Sequence, residues 1–185
     1  NAVCAPSRCV LMTGKHPGHA IVRNNRAMAK FGEPEGQHPI PASEVTIAEL
    51  LKKEGYVAGA FGKWGLGNTG SQGNPTKQGF KRFYGYNCQG HAHSYYPETL
   101  WSDNEKVKLN NVPPVPGHAS LAKGTDPNDP RSYDIFKGQD YAPDRINAQA
   151  LEFIRDNKER PFFLYYPTVI PHVALHVPDE ELKPY

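Results

Sequence analysis

The strongest constraint in this chain is a pattern that occurs twice: an amphipathic helix, a short break, then a buried apolar run. The first unit is TIAELLKKEGYVAGAF, residues 46–61. Thr46 and Glu49 have capping-box spacing, in which the hydroxyl accepts from the Glu49 N–H and the carboxylate accepts from the cap N–H. Ile47, Leu50 and Leu51 form the expected apolar face, and Gly55 is the expected stop. YVAGAF reads as a short buried strand running into GKWGLG. The second unit is PDRINAQALEFIRDN followed by FFLYY. Pro143 suits the first turn, Ile146, Ala150, Phe153 and Ile154 share a face, and FFLYY reads as a continuous apolar strand. Helix then buried strand, repeated, points to α/β architecture. In open α/β sheets, sites gather at the carboxyl ends of strands. The segments there are GKWGLG and PTVIPHVALHVP.

The rest of the chain is irregular. A short helix is expected from Pro6 to about Met12, ended by Gly14, with Lys15 near its negative end. Residues 16–43 carry Pro17, Pro34, Pro39 and Pro41 as breakers. Residues 68–97 read as a long polar and aromatic loop. TLW and EKVKL around SDN read as a hairpin. Residues 110–140, full of Pro, Asn, Asp and Gly, read as a surface excursion, and the loop-rich stretch as a whole spans about 102–140. There is no internal repeat. A net charge of +2 without a basic, aromatic-laced stripe excludes a nucleic-acid partner. No apolar stretch is long enough for a membrane span. Three cysteines, Cys4, Cys9 and Cys88, make neither a disulfide framework nor a zinc site and leave the redox compartment open. Cys9 is expected to be a buried apolar residue inside the first helix. Cys88, in a loop, reads either way. His16, His19, His38 and His118 have no distinctive spacing and read as surface residues.

The chain opens NAVCAPSRCVLMTGK. With Pro6 as the first helical residue, Cys4 lies at or just before the cap, facing the free N–H groups of the first turn, a natural seat for an anion. Arg8 is four residues on, and helical side chains lean toward the N-terminus, so its guanidinium can return to the space beside Cys4. A helix start with an adjacent Arg lowers a thiol pKa and holds a sulfate or phosphate oxygen. CAPSR alone is equally compatible with a cysteine that merely precedes a helix.

Three segments together are more specific. CAPSRCVLMTGK resembles the sulfatase signature C-x-P-S-R-x-x-x-L-T-G-R, with Met12 in place of Leu and Lys15 in place of Arg. GYVAGAFGKWGLG, from Gly55 to Gly67, is similar to the second sulfatase signature. PHVALHVP at 171–178 is similar to the Pro-His segment of that family. The resemblance implies an alkaline-phosphatase-like α/β sandwich, a mostly parallel sheet flanked by helices and incomplete at both ends. Residues 1–185 would be an interior part of the catalytic domain, inactive alone. The implied reaction is hydrolysis of a sulfate monoester, aryl or carbohydrate, to an alcohol or phenol and sulfate. Two further readings stay open: a phosphate or phosphonate ester hydrolase of the same superfamily, and a non-catalytic relative that binds sulfated glycans.

The resemblance also implies residue roles. Cys4 would be oxidised to formylglycine by a formylglycine-generating enzyme, which reads Pro6 and Arg8. One oxygen of the aldehyde hydrate would attack sulfur, and the second hydroxyl would later expel sulfate. A thiol adduct would have no neighbouring hydroxyl to release it. Arg8 would steady this group, Lys63 would contact sulfate and nucleophile, and His172 would bind sulfate or assist the leaving oxygen. Many sulfatases carry a second His two residues after that Lys, where this chain has Gly65. One divalent cation is implied, usually Ca2+, with Cys4 as a ligand and the remaining ligands outside this chain. Periplasmic, secreted or lysosomal location follows family habit. His93, within HAH, is the candidate substrate contact, although that pair has no evident third metal ligand. Arg23 and Asn25 read as solvated loop. The aromatics of YGYNCQGHAHSYYPETLW are expected to pack their loop on the core.

Overall fold

The computed structural model describes residues 3–26, 36–172, 174 and 176–184. Pro34 in the first irregular stretch, and Val173 and Leu175 in PHVALHVP, fall outside the described residues. A five-stranded sheet has the order β4-β3-β2-β1-β5. Its strands are β1 (Val57–Lys63), β2 (Arg82–Tyr86), β3 (Thr99–Ser102), β4 (Glu105–Lys108) and β5 (Phe162–Tyr165). β1 runs parallel to both β2 and β5, with Val57 opposite Phe162 and Lys63 opposite Tyr86. β3 and β4 add an antiparallel edge, the hairpin expected from TLW and EKVKL. Asp103 takes its turn with φ 54°, a left-handed conformation that Asp tolerates.

Among the described residues four α-helices accompany the sheet: α1 (Cys4–Thr13), α2 (Ile47–Lys53), α3 (Ala142–Asn157) and α4 (Asp179–Leu182). Ala5, Cys9 and Met12 of α1 and Ala48 of α2 form one core with Ala58, Ala60, Trp64 and Phe83. Ile146, Ala150 and Phe153 of α3 form a second core with Phe61, Tyr84 and Tyr86. Alternate residues of β1 thus feed two cores, as a period-two strand must when helices cover both faces. The expected α/β sandwich is present.

Several local expectations change. α1 begins at Cys4 rather than Pro6, with Val3 as its cap and the first turn closed by Ser7 N–H donating to the Val3 carbonyl at 3.1 Å. Pro6 is accommodated because first-turn N–H groups have no intrahelical partner to lose. Cys4 is therefore the first helical residue, not a residue ahead of the cap. Gly14 ends α1 as expected, with φ 67° and its N–H on the Val10 carbonyl at 2.9 Å. The capping box at Thr46 and Glu49 forms. The apolar face expected of α2 does not: Ile47 and Leu50 are 38% and 52% exposed, and Ala48 is the residue that is buried. The Gly79 turn explains this, since a Cβ there would collide with the backbone of Ala48 and Glu49. At so close an approach only the small side chain fits inward.

The stretch 68–97, read as loop, contains β2 at the centre of the sheet. Five residues bearing Gly85 and three aromatics lack a clean alternation signal, and their strand is decided by pairing with β1. The irregular excursion begins only after β4, because residues 105–108 belong to the sheet. The aromatics behave as expected, with Tyr84, Tyr86, Tyr95 and Tyr96 buried.

The Thr46 hydroxyl accepts from Glu49 N–H at 3.3 Å and donates to the buried Gln78 carbonyl at 2.7 Å. Thr46→Ala is expected to cost about 1–2 kcal/mol in urea denaturation, from loss of the cap and a stranded carbonyl. Phe153, 6% exposed with its ring 5.4 Å from that of Phe61, joins α3 to the sheet. Phe153→Ala is expected to cost about 3–5 kcal/mol in the same measurement.

Candidate active site

The carboxyl ends of β1 and β5 and the first turn of α1 meet at Lys63. The ammonium-bearing side chain is almost wholly buried, at 2% exposure for the residue. Its backbone N–H donates to the Pro167 carbonyl at 2.9 Å, which ties the end of β1 to the segment after β5. That contact needs Gly62, whose φ is 131° and where any Cβ would strike the Pro167 carbonyl. The Lys63 carbonyl accepts from Arg8 Nη1 at 2.7 Å, and the same nitrogen donates to the Tyr165 hydroxyl at 3.3 Å. Arg8 thus commits hydrogen bonds to β1 and β5 as it leans toward the start of its helix. Lys63 Nζ lies 3.4 Å from Cys4 Sγ. Burial lowers the Lys63 pKa first, the Cys4 sulfur raises it, and the Arg8 charge lowers it further. A cleft of about 500 Å³ opens here, lined by Cys4, Ser7, Arg8, Tyr165 and Thr168 among others.

The first turn of α1 is capped from a distance. Asn25, exposed as its loop setting implies, also accepts from Ala5 N–H through Oδ1 at 2.8 Å. Arg23 bonds only to its own loop, through the Gly18 and Ala20 carbonyls, among the hydrogen bonds of the described residues.

His172 follows β5 and is held by Tyr95. The Tyr95 hydroxyl accepts from His172 N–H at 2.7 Å and reaches the Val169 carbonyl at 3.0 Å. His93 sits in a 3-10 turn (His91–His93) and stacks on His172, with centroids 4.7 Å apart. The Lys63 charge is felt by both rings. Burial, then His118, Lys63 and His172, hold the His93 pKa at about 4. Burial, then Lys63 and His118, lower that of His172. Both imidazoles are therefore neutral near pH 7, able to give or take a hydrogen bond. His118, read as a surface residue, is exposed yet stacks on His93 at 4.1 Å. No sequence signal marks it, because the excursion delivers it from a stretch without regular structure. It also supplies the third imidazole that HAH lacks in sequence.

At Gly65, a Cβ would overlap the Gln89 side-chain amide. Gln89 is 2% exposed, and both polar atoms of its amide have no hydrogen-bond partner among the described residues. The volume that a larger residue at 65 would need is therefore taken by Gln89.

Comparison with known proteins decides the family. The sulfatase family model matches residues 1–185. This chain belongs to the sulfatase family. It is 32% identical to an arylsulfatase of Hemicentrotus pulcherrimus over 97% of this chain and 30% of that protein. It is 31% identical to the N-acetylgalactosamine-6-sulfatase of Homo sapiens over all of this chain and 33% of that protein. The chain thus spans about a third of the length of these relatives. Among solved structures, Ps i-CgsB in complex with k-i-k-neocarrahexaose superposes with TM-score 0.66 and 25% identity, over 98% of this chain and 38% of that one. The PsFucS1 sulfatase from Pseudoalteromonas sp. superposes with TM-score 0.57 and 17% identity, over 96% of this chain and 36% of that one, a likeness of fold.

The family resemblance implies a divalent cation at Cys4, and the described residues do not supply its site. No three His, Cys, Asp or Glu side chains converge at Cys4 among them. Its charged neighbour at hydrogen-bond range is the Lys63 ammonium. Ca2+ takes six to eight oxygen ligands, and no carboxylate cluster among the described residues offers them at Cys4.

Gly65→His is expected to destabilise the protein by more than about 2 kcal/mol, through overlap with Gln89 and a side chain at φ 75°. Adding Gln89→Ala is expected to recover at least about 1 kcal/mol of that loss, read as non-additivity in a double-mutant denaturation cycle.

Proposed function

We propose that the full protein containing this chain hydrolyses sulfate monoesters through the residue at position 4. The observation that carries this reading is the 3.4 Å approach of Lys63 Nζ to Cys4 Sγ at the first turn of α1. On this reading Sγ stands where the hydroxyl oxygens of hydrated formylglycine would lie, once a formylglycine-generating enzyme has oxidised the thiol carbon to an aldehyde. Lys63 then faces both the nucleophile and the incoming sulfate, and burial strengthens that attraction. Arg8 fixes the angle between α1 and β1 through the Lys63 carbonyl and adds positive potential. The neutral His172 ring is suited to donate a hydrogen bond to the sulfate or the leaving oxygen. His93, stacked against it, is proposed as a contact to the rest of the substrate. Cation ligands other than Cys4 are proposed to come from outside residues 1–185, and the isolated chain is expected to be inactive.

Relatives named as an arylsulfatase and an N-acetylgalactosamine-6-sulfatase, and a neighbour solved with a neocarrahexaose, support an aryl or carbohydrate sulfate as substrate. Among the described residues no helix is long and apolar enough to cross a membrane. A periplasmic, secreted or lysosomal location is part of the proposal.

Peptide mass mapping of the full protein, made in cells that carry the modifying enzyme, is expected to show sulfur replaced by aldehyde oxygen at position 4. Cys4→Ala is expected to abolish turnover of an aryl sulfate. Lys63→Ala is expected to lower kcat/KM by about 10²–10³, the scale of removing one preorganised charge-stabilising group. Faster turnover of the matching aryl phosphate would transfer the assignment to phosphate esters. An unmodified thiol with tight binding of sulfated glycan and no turnover would make the protein a binder.

A further inference from the structure

Among the described residues, one group of three metal-ligating side chains brings its donor atoms together. These are His93, His118 and His172, whose ligand atoms lie within 4.8 Å of one another. They come from three separate segments: the 3-10 turn after β2, the excursion after β4, and the loop after β5. His118 Nε2 is 3.4 Å from His172 Nδ1. Two nitrogens bound to one tetrahedral Zn2+ at about 2.0–2.1 Å lie about 3.3–3.4 Å apart, so this pair is already at chelating distance. The three rings are within 12° of parallel, so they turn about their side-chain bonds before three in-plane lone pairs meet at one ion.

The backbone holds this arrangement. Tyr95 anchors the His172 N–H. Gly117 lies so close to the His93 carbonyl that a Cβ would collide with it, which seats the excursion on the turn and delivers His118 over His93. His118 is exposed, so an ion has a path from solvent. Lys63 opposes a cation here, and an anionic fourth ligand offsets that repulsion.

We propose that His93, His118 and His172 bind one late first-row divalent cation of the Zn2+ class, leaving a fourth position for water or an anion. Three imidazoles without a carboxylate select such an ion over Ca2+ or Mg2+. The site's three ligands do not include Cys4. Its consequence for turnover rests on the sulfatase reading: an ion on His172 withdraws that ring from the substrate, so Zn2+ inhibits.

The test is calorimetric titration of the full protein with Zn2+, in buffer containing Ca2+, alongside visible absorption with Co2+. The expected result is one Zn2+ per chain and a tetrahedral nitrogen-ligand Co2+ spectrum. His118→Ala and His93→Gln are each expected to weaken Zn2+ by more than about tenfold, at least the loss seen when only an outer-shell partner is removed. No binding, or binding unchanged in both variants, overturns the site. Aryl sulfate turnover is measured on the same preparations. Zn2+ inhibition that is lost in His118→Ala supports the coupling, and inhibition unchanged in that variant overturns it. Zn2+ binding without any turnover leaves the site standing and removes the sulfatase reading, whereas turnover without Zn2+ binding does the reverse.

Discussion

The structure depends on a buried lysine at the end of a parallel strand. Lys63 bonds through its N–H to the segment after β5, through its carbonyl to Arg8 of α1, and through its ammonium to Cys4. One residue thereby joins three pieces of chain far apart in sequence. Burying an ammonium opposite a thiol, with no ion pair to a carboxylate among the described residues, is an expensive arrangement for stability alone. It is a reasonable arrangement for a site that must attract an anion out of water, because low local polarity strengthens the attraction once the anion arrives.

Around that charge, the fold surrounds its candidate site with neutral donors rather than balancing carboxylates. The imidazoles of His93 and His172 are kept neutral by burial and by the lysine itself. A neutral imidazole donates its N–H to a sulfate and offers its lone pair to a cation of the Zn2+ class, so the two ligands compete for the same rings. Tyr95 is the shared support, since its hydroxyl fixes the backbone of His172 while its ring stays in the core.

Much of the fold was legible in the residues. The Thr46–Glu49 box, the Gly14 stop and the SDN hairpin rest on interactions within about ten neighbours, and α3, β1 and β5 announce themselves in apolar patterns of that length, which sequence displays directly. β2 was not legible, because RFYGY, interrupted by Gly85, lacks a clean alternation and gains its identity from the β1 register. The inward face of α2 departs from its periodic pattern for a similar reason: the choice of Ala48 over Ile47 and Leu50 is made by a glycine turn about thirty residues away. Asn25, Gln89 and His118 are ordinary as letters and become site neighbours only through close approach of loops.

By itself the sequence determined the helix ends, the alternation that makes an α/β sandwich, and the three motif segments that mark the family. Those features are set by local backbone preference and by residue types in a fixed order. Tertiary structure alone decided which side chains meet: the thiol against the ammonium, the guanidinium on the strand carbonyl, and three histidines from separate loops in one stack. Such contacts are fixed by strand register and by glycines that let backbones touch, and no window of neighbouring residues contains either.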